Sequence, residues 1–168
     1  HNKIGFDNEK PYFRKKVKPF RVSKTLITNF MFRQFIESGG YEDDKHWSFQ
    51  GKYWKNTSLI QKCPLYWKKF GDKWYIEYFD RLIKLDDINN YPVIHISWYE
   101  AEAFANWKGA RLLSESEWEY LATNGSESYY PWGDDEKKLK LCNLNYGNQW
   151  ITSVNHNSQE TQNKQGIL

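Results

Sequence analysis

Two serine–glutamate pairs with the same spacing, Ser97 with Glu100 and Ser114 with Glu117, constrain this chain more than any other feature. In such a capping box the serine hydroxyl accepts a free amide N–H of the first helical turn, and the glutamate accepts the amide of the serine itself. Both pairs fall in residues 91–125, YPVIHISWYEAEAFANWKGARLLSESEWEYLATNG, and each is followed by apolar residues at helical spacing and then a glycine. The first box predicts a helix starting at Trp98, with Trp98, Ala101, Phe104 and Ala105 as its buried stripe and Gly109 as the left-handed residue that stops it. The second predicts a helix with Trp118, Leu121 and Ala122 buried and Gly125 as its stop. Glu115 and Glu119 repel across one turn by about 0.2–0.5 kcal/mol, whereas a first-turn carboxylate gains about 0.3–1 kcal/mol from the helix dipole. The acidic start is therefore locally favourable. Trp98, Phe104 and Trp118 are the expected core of a scaffold around which the remaining chain wraps.

Upstream, residues 17–28, VKPFRVSKTLIT, read as a strand pair broken by Pro19 at the edge of a small sheet. Thr28 is placed to cap a helix over residues 29–38, with Met31, Phe32, Phe35 and Ile36 on one side and Gly39-Gly40 at its end. Between residues 41 and 79 the pattern is irregular, because Trp47, Trp54, Trp67 and Trp74 follow no single period. Inside it, PLYWKKF and KWYIEYF flank Gly71-Asp72, a two-residue connection that closes a hairpin. Residues 82–90 read as a polar connection into a short strand over residues 93–97. Beyond Gly125 periodicity is lost, and the Asn/Gln-rich end NHNSQETQNKQGIL is expected to be either disordered or a loop whose packing partner lies elsewhere. Short capped helices, a few strands and long aromatic loops give an α+β domain.

A chain of 168 residues accommodates one domain with a real core. With 18% aromatic residues, nine of them tryptophan, loops pinned by large flat side chains are expected. A net charge of only +3 argues against an obligate nucleic-acid binder. No stretch approaches the roughly 20 apolar residues of a membrane span. The chain begins at His1 rather than Met, so the N-terminus of the gene product is expected upstream, where a targeting segment could also have lain. Cys63 and Cys142 form no CxxC or Cys/His spacing and are expected as reduced thiols of a cytoplasmic protein.

A metal site needs two or three converging imidazoles or carboxylates. His1, His46, His95 and His156 are scattered, and no metal is assigned to them. His95, between Ile94 and Ile96, reads as a structural histidine on a strand. Glu100, Glu102, Glu115, Glu117 and Glu119 are explained as caps, dipole partners and solvated faces, with no identifiable nucleophile or base partner for acid–base work. Residues 45–79 interleave Lys with Trp and Tyr like a stacking platform for single strands or sugars, but core and cross-strand packing accounts for them better. Serine-nucleophile, phosphate-loop and dinucleotide motifs are absent.

The order of motifs carries more than any one of them. The run PVIHISWYEAEAFANWKGARLLSESEWEYLA, followed by YPWG and then Asn143-Leu144, resembles the signature of formylglycine-generating-enzyme-like (sulfatase-modifying-factor) domains, whose usual text is close to PV-x-x-VSW-x-x-A, then RLPTEAEWE, then PWG. Leu113 stands where that family usually has Pro. Within the superfamily, GFDNEKP, LITNFMFRQFIESGGY and CPLYWKKFGDKW are similar to the C-terminal domain of ergothioneine-type, iron-dependent sulfoxide synthases.

The resemblance implies a compact C-type-lectin-like fold, short twisted antiparallel sheets with two or three helices and long loops. It also implies a division of labour. A separate N-terminal helical domain holds non-haem iron(II) through three histidines, and oxygen joins a cysteine-containing thiol to the imidazole of a histidine derivative. The catalytic residues and iron ligands are then expected outside this chain, and the present domain supports the cleft. The family pattern continues past Leu168 with a GNVWEW-type element and an Arg- and Gly-rich end, so the domain is expected to be incomplete at its C-terminus and inactive alone. Cys63 and Cys142 do not match the C-terminal cysteine pair of the formylglycine-generating enzymes, and neither is assigned catalysis. Calcium, held in some members by an Asn side chain and the next carbonyl, would map onto Asn143 and Leu144. Small-molecule thiol and histidine derivative are the implied partners, with no nucleic acid and no membrane. The alternatives are a non-catalytic lectin-like binding domain and a formylglycine-generating enzyme acting on a sulfatase cysteine.

Overall fold

The computed structural model describes residues 11, 14–58, 62–123, 125, 128–143 and 150–155. Helix α1, Asn29–Glu37, starts where Thr28 Oγ1 accepts the Met31 N–H at 3.3 Å. Phe32 and Phe35 form its buried face. The turn that follows needs Gly40 for space, since a Cβ there would lie 2.1 Å from the Phe35 ring. That close approach drops Tyr41 into the core and presents the Gly40 carbonyl to the Trp47 indole N–H at 2.8 Å.

The stretch read as irregular contains a second helix, α2, Phe49–Thr57, capped by Ser48 Oγ accepting the Gly51 N–H at 3.2 Å. Its sequence, FQGKYWKNT, has no apolar stripe to betray it. Trp54 attaches it, stacked on Trp47 at 6.3 Å and tilted against Tyr99 at 5.7 Å.

Three antiparallel strands follow in sequence order: β1, Trp67–Phe70; β2, Lys73–Tyr78; β3, Arg81–Lys84. The pairing Phe70 with Lys73 brackets Gly71-Asp72, as the hairpin signal required. Pairing of Tyr78 with Arg81 brackets a second two-residue turn, Phe79-Asp80. Strand β3 and the 3-10 turn Leu85–Ile88 correct the polar connection expected over residues 82–90, because Leu85 and Ile88 are core residues. Their apolar spacing changes from alternation to a three-residue step within a few positions, so neither period shows.

Neither the strand pair expected over residues 17–28 nor the strand expected over residues 93–97 forms. Residues 14–27 and 93–97 carry no regular structure, and among the described residues one antiparallel bridge, Thr28 with Pro92, links the two segments. The ladder has no room to grow, since α1 begins at Asn29 and the backbone turns left-handed at His95.

Both capping boxes form. In α3, Trp98–Trp107, Ser97 Oγ accepts the Glu100 N–H at 3.2 Å and Glu100 Oε2 accepts the Ser97 N–H at 2.7 Å. In α4, Glu115–Ala122, the equivalent distances are 3.4 and 2.8 Å. Gly109 and Gly125 lie left-handed beyond the two ends, at φ +66° and +78°. The core is aromatic: Phe104 stacks on Phe32 at 5.3 Å and meets Phe35 edge-on at 5.9 Å, and Trp67 meets Trp74 at 6.0 Å. Each such pair contributes about 0.5–1.5 kcal/mol beyond its buried area. Of the three expected anchors only Phe104 belongs to it. Trp98 and Trp118 are 60% and 64% exposed. The face α3 buries is instead that of Glu100, Ala103, Phe104 and Ala105, which leaves Trp98 on its flank. Leu121 and Ala122 are half-buried.

Candidate functional site

The exposed tryptophans wall an open cleft of about 1020 Å³ between residues 21–27, α3 and the start of α4. Phe32 and Phe104 reach its floor, Leu26, Ile96 and Leu113 line it, and Arg21, Lys108, Arg111 and Glu115 stand among its polar lining. Apolar walls with a few charged groups are the usual form of a binding cleft. The Arg111 guanidinium is already committed, since it grips both carboxylate oxygens of Glu117 at 2.6 and 2.7 Å. With the Ser114 N–H, that fork holds the Glu117 pKa down at about 2.

Glu100 has a different setting. It is fully buried and accepts hydrogen bonds from the Tyr41 hydroxyl and the Ser97 N–H. Burial raises its pKa despite those donors. Burial, and then the charge of Glu100, push the Tyr41 phenol up as well. The neighbouring Cys63 thiol is pushed up to about 11 by burial and by Glu100. A raised pKa disfavours the thiolate, the nucleophilic form of a cysteine.

At one end of the sheet the backbone itself is unusual. Tyr66, Phe79 and His95 are left-handed, at φ +70°, +52° and +60°. An L-residue in that region costs about 1–2 kcal/mol. The Leu65 N–H donates to the His95 carbonyl at 3.2 Å, the Glu77 N–H donates to the Tyr66 carbonyl at 2.8 Å, and the Tyr66 and His95 rings meet edge-on at 4.9 Å. His95 is therefore exposed and off any strand, which corrects its reading as a satisfied strand histidine.

The remaining candidates are dispersed. His46 is half-buried 3.7 Å from Asp43, while His1 and His156 lie outside the described residues. Among the described residues no three His, Cys, Asp or Glu side chains converge as metal ligands. The described residues do not fit an iron centre. Asn143 is exposed, with its amide nitrogen donating to the Trp150 carbonyl at 2.7 Å. Leu144, the other calcium candidate, lies outside the described residues, as do residues 156–168 of the polar end. Trp47, Trp67 and Trp74 are buried, so the Lys- and Trp-rich stretch is core rather than a stacking platform. No helix among the described residues is long and apolar enough to cross a membrane.

A small antiparallel sheet, twin capped helices and an aromatic core define a mixed α+β domain, and its sequence places it. The profile of the sulfatase-modifying factor enzyme 1-like domain matches residues 1–166, and the chain belongs to that family. Among its relatives, the hercynine oxygenase of Mycolicibacterium thermoresistibile is 35% identical over 145 residues, 83% of this chain and 31% of that protein. The formylglycine-generating enzyme of Streptomyces coelicolor is 30% identical over 157 residues, 88% of this chain and 48% of that enzyme. The inactive C-alpha-formylglycine-generating enzyme 2 of Bos taurus is 30% identical over 140 residues, 77% and 46% of the two chains. The chain thus spans about a third to a half of the length of the curated relatives it matches.

Proposed function

We propose that residues 1–168 are most of the C-type-lectin-like domain of a cytoplasmic, iron-dependent sulfoxide synthase of the hercynine-oxygenase kind. The observation that carries this reading is the 35% identity to a hercynine oxygenase over 83% of the chain, against 30% for the formylglycine-generating enzyme. Iron(II), held by residues outside this chain, supplies the oxygen chemistry when bound. The reaction class joins a cysteine-containing thiol to the imidazole of a histidine derivative. An S–H and a C–H bond are lost, a C–S and an S–O bond are formed, and the second oxygen atom of O₂ leaves as water.

This domain's own contribution is support. The two capped helices hold the walls of the cleft, and the buried Tyr41–Glu100 pair fixes the corner from which α3 projects. Trp98 and Trp118 are expected to be covered in the full-length protein by its further polypeptide, which completes the domain. Residues 1–168 alone are expected to make no product.

A second reading, a domain with no catalytic centre that binds a partner or glycan, is favoured by the similarity to an inactive bovine paralogue. The test is product analysis of the full-length protein, loaded with iron(II), given oxygen, a histidine betaine and cysteine or a cysteine-containing peptide. A sulfoxide supports the proposal. An aldehyde on a sulfatase-derived peptide would move the protein to the formylglycine-generating class, and defined ligand binding without either product would favour the second reading.

A further inference from the structure

We propose that residues 14–24 are a docking strip for a short acidic segment of another protein. The stretch, RKKVKPFRVSK, holds six basic residues, Arg14, Lys15, Lys16, Lys18, Arg21 and Lys24, and no acidic one. The whole chain has 24 basic and 21 acidic residues, so outside the strip 18 basic residues face 21 acidic ones. The small net charge of +3 therefore hides a division, a strip of +6 on a remainder of −3. All six basic residues are exposed, and among the described residues none of them takes part in an ion pair. Arg14, Lys15 and Lys16 are consecutive, with Cα atoms about 3.8 Å apart, well inside the screening length of about 8 Å at physiological salt. They repel one another, and an anionic partner relieves that repulsion.

The chemistry of the strip says what kind of partner fits. Its apolar members Val17, Phe20 and Val22 are half-buried, and Val22 lines the cleft. The exposed positions are the six cations, Pro19 and Ser23. The strip therefore offers charge without a free aromatic ring on which bases stack, and without a bulky apolar side chain to enter a bilayer. Size points the same way. Residues 14–24 reach at most about 40 Å when fully extended, whereas a nucleic-acid duplex or a membrane surface continues past them onto the negatively charged remainder. A segment of similar length with spaced carboxylates meets the strip alone. Pairing at exposed cations speeds encounter and fixes register more than it adds affinity, so the complex is expected to be weak and sensitive to salt.

The experiment titrates the full-length protein into a fluorescein-labelled peptide of alternating Glu and Ser, about twelve residues long, and follows anisotropy at about 50 and about 300 mM salt. The expected result is saturable binding that weakens about tenfold between the two salts, and by a similar factor in Lys15→Gln/Lys16→Gln/Lys18→Gln. Lys73→Gln/Lys137→Gln/Lys140→Gln removes the same charge at exposed positions outside the strip and is expected to change affinity less than about twofold. No saturable binding, no response to salt, equal losses in the two triple variants, or tighter binding to an oligothymidylate of equal charge or to phosphatidylserine vesicles would each overturn the proposal. The salt response is measured on the parent protein, so the test does not hang on the folding of a variant. Binding is read without iron or turnover, and its outcome is independent of the sulfoxide reading.

Discussion

At the start of α3 the capping glutamate is sealed in the core under Tyr41; at the start of α4 the equivalent glutamate is also mostly covered, 8% exposed, but lies in the fork of an arginine whose side chain is exposed. The local grammar is the same, and each serine hydroxyl does the same work. What differs is the donor to the other carboxylate oxygen, the Tyr41 hydroxyl for Glu100 and the Arg111 guanidinium for Glu117. Burial penalises charge on Glu100, so its pKa rises, whereas Arg111 and the Ser114 N–H favour charge on Glu117, so its pKa falls to about 2. One motif therefore serves as a keystone between helix and core in one place, and as a surface clasp in the other.

The comparison breaks most visibly at the carboxylates. Glu100→Ala leaves the Tyr41 hydroxyl and the Ser97 N–H without their acceptor and opens a cavity, and a loss of about 2–4 kcal/mol is expected by chemical denaturation. Glu117→Ala leaves its partners in reach of water and is expected to cost clearly less. Equal losses would show that the two boxes are not distinguished by the burial of the glutamates' partners.

The hydroxyl halves sharpen the point by behaving alike. Ser97→Ala and Ser114→Ala should each remove about 1 kcal/mol, and a difference as large as that between the two glutamates would place the asymmetry in the caps themselves.

pH separates the boxes by sign. Glu100 has a raised folded pKa, so its contribution is fully present below the unfolded value near 4.5 and is lost as pH rises through the folded value. Glu117 has a depressed pKa, so its contribution is present above 4.5 and is lost as pH falls towards 2. Denaturant titrations across this range should find Glu100→Gln gaining on the parent protein as pH rises, and Glu117→Gln losing ground over the same interval. Parallel trends would contradict the assigned environments.

The smallest effect is expected at the cleft. Trp98→Ser and Trp118→Ser should change the stability of residues 1–168 by no more than about 0.5 kcal/mol, the usual range for surface positions. A loss of core size would mean that these rings are packed in solution.

How much of this was legible follows from what each signal reports. Capping boxes, the Gly71-Asp72 hairpin and the Thr28 cap are local and chemical, and each appears where its residues required. Periodicity gives the spacing of a stripe but not its rotation towards the core, which is why Phe104 was legible as core and Trp98 was not. Helix α2 is held by Trp54 lying between Trp47 and Tyr99, contacts that join distant parts of the chain and leave no pattern in FQGKYWKNT. The left-handed turns at Tyr66, Phe79 and His95 were invisible for a related reason: glycine announces such a turn, and these residues do not. The family signature, by contrast, could be read in the order of motifs, and the profile match over residues 1–166 agrees with it.

The most direct test of the account is turnover of the iron-loaded full-length protein under ¹⁸O₂ with a histidine betaine and a cysteine-containing thiol. The account predicts a C–S-linked product that carries one labelled oxygen on sulfur. Oxidation of the thiol alone, or label on a peptide aldehyde with no C–S bond formed, would contradict it.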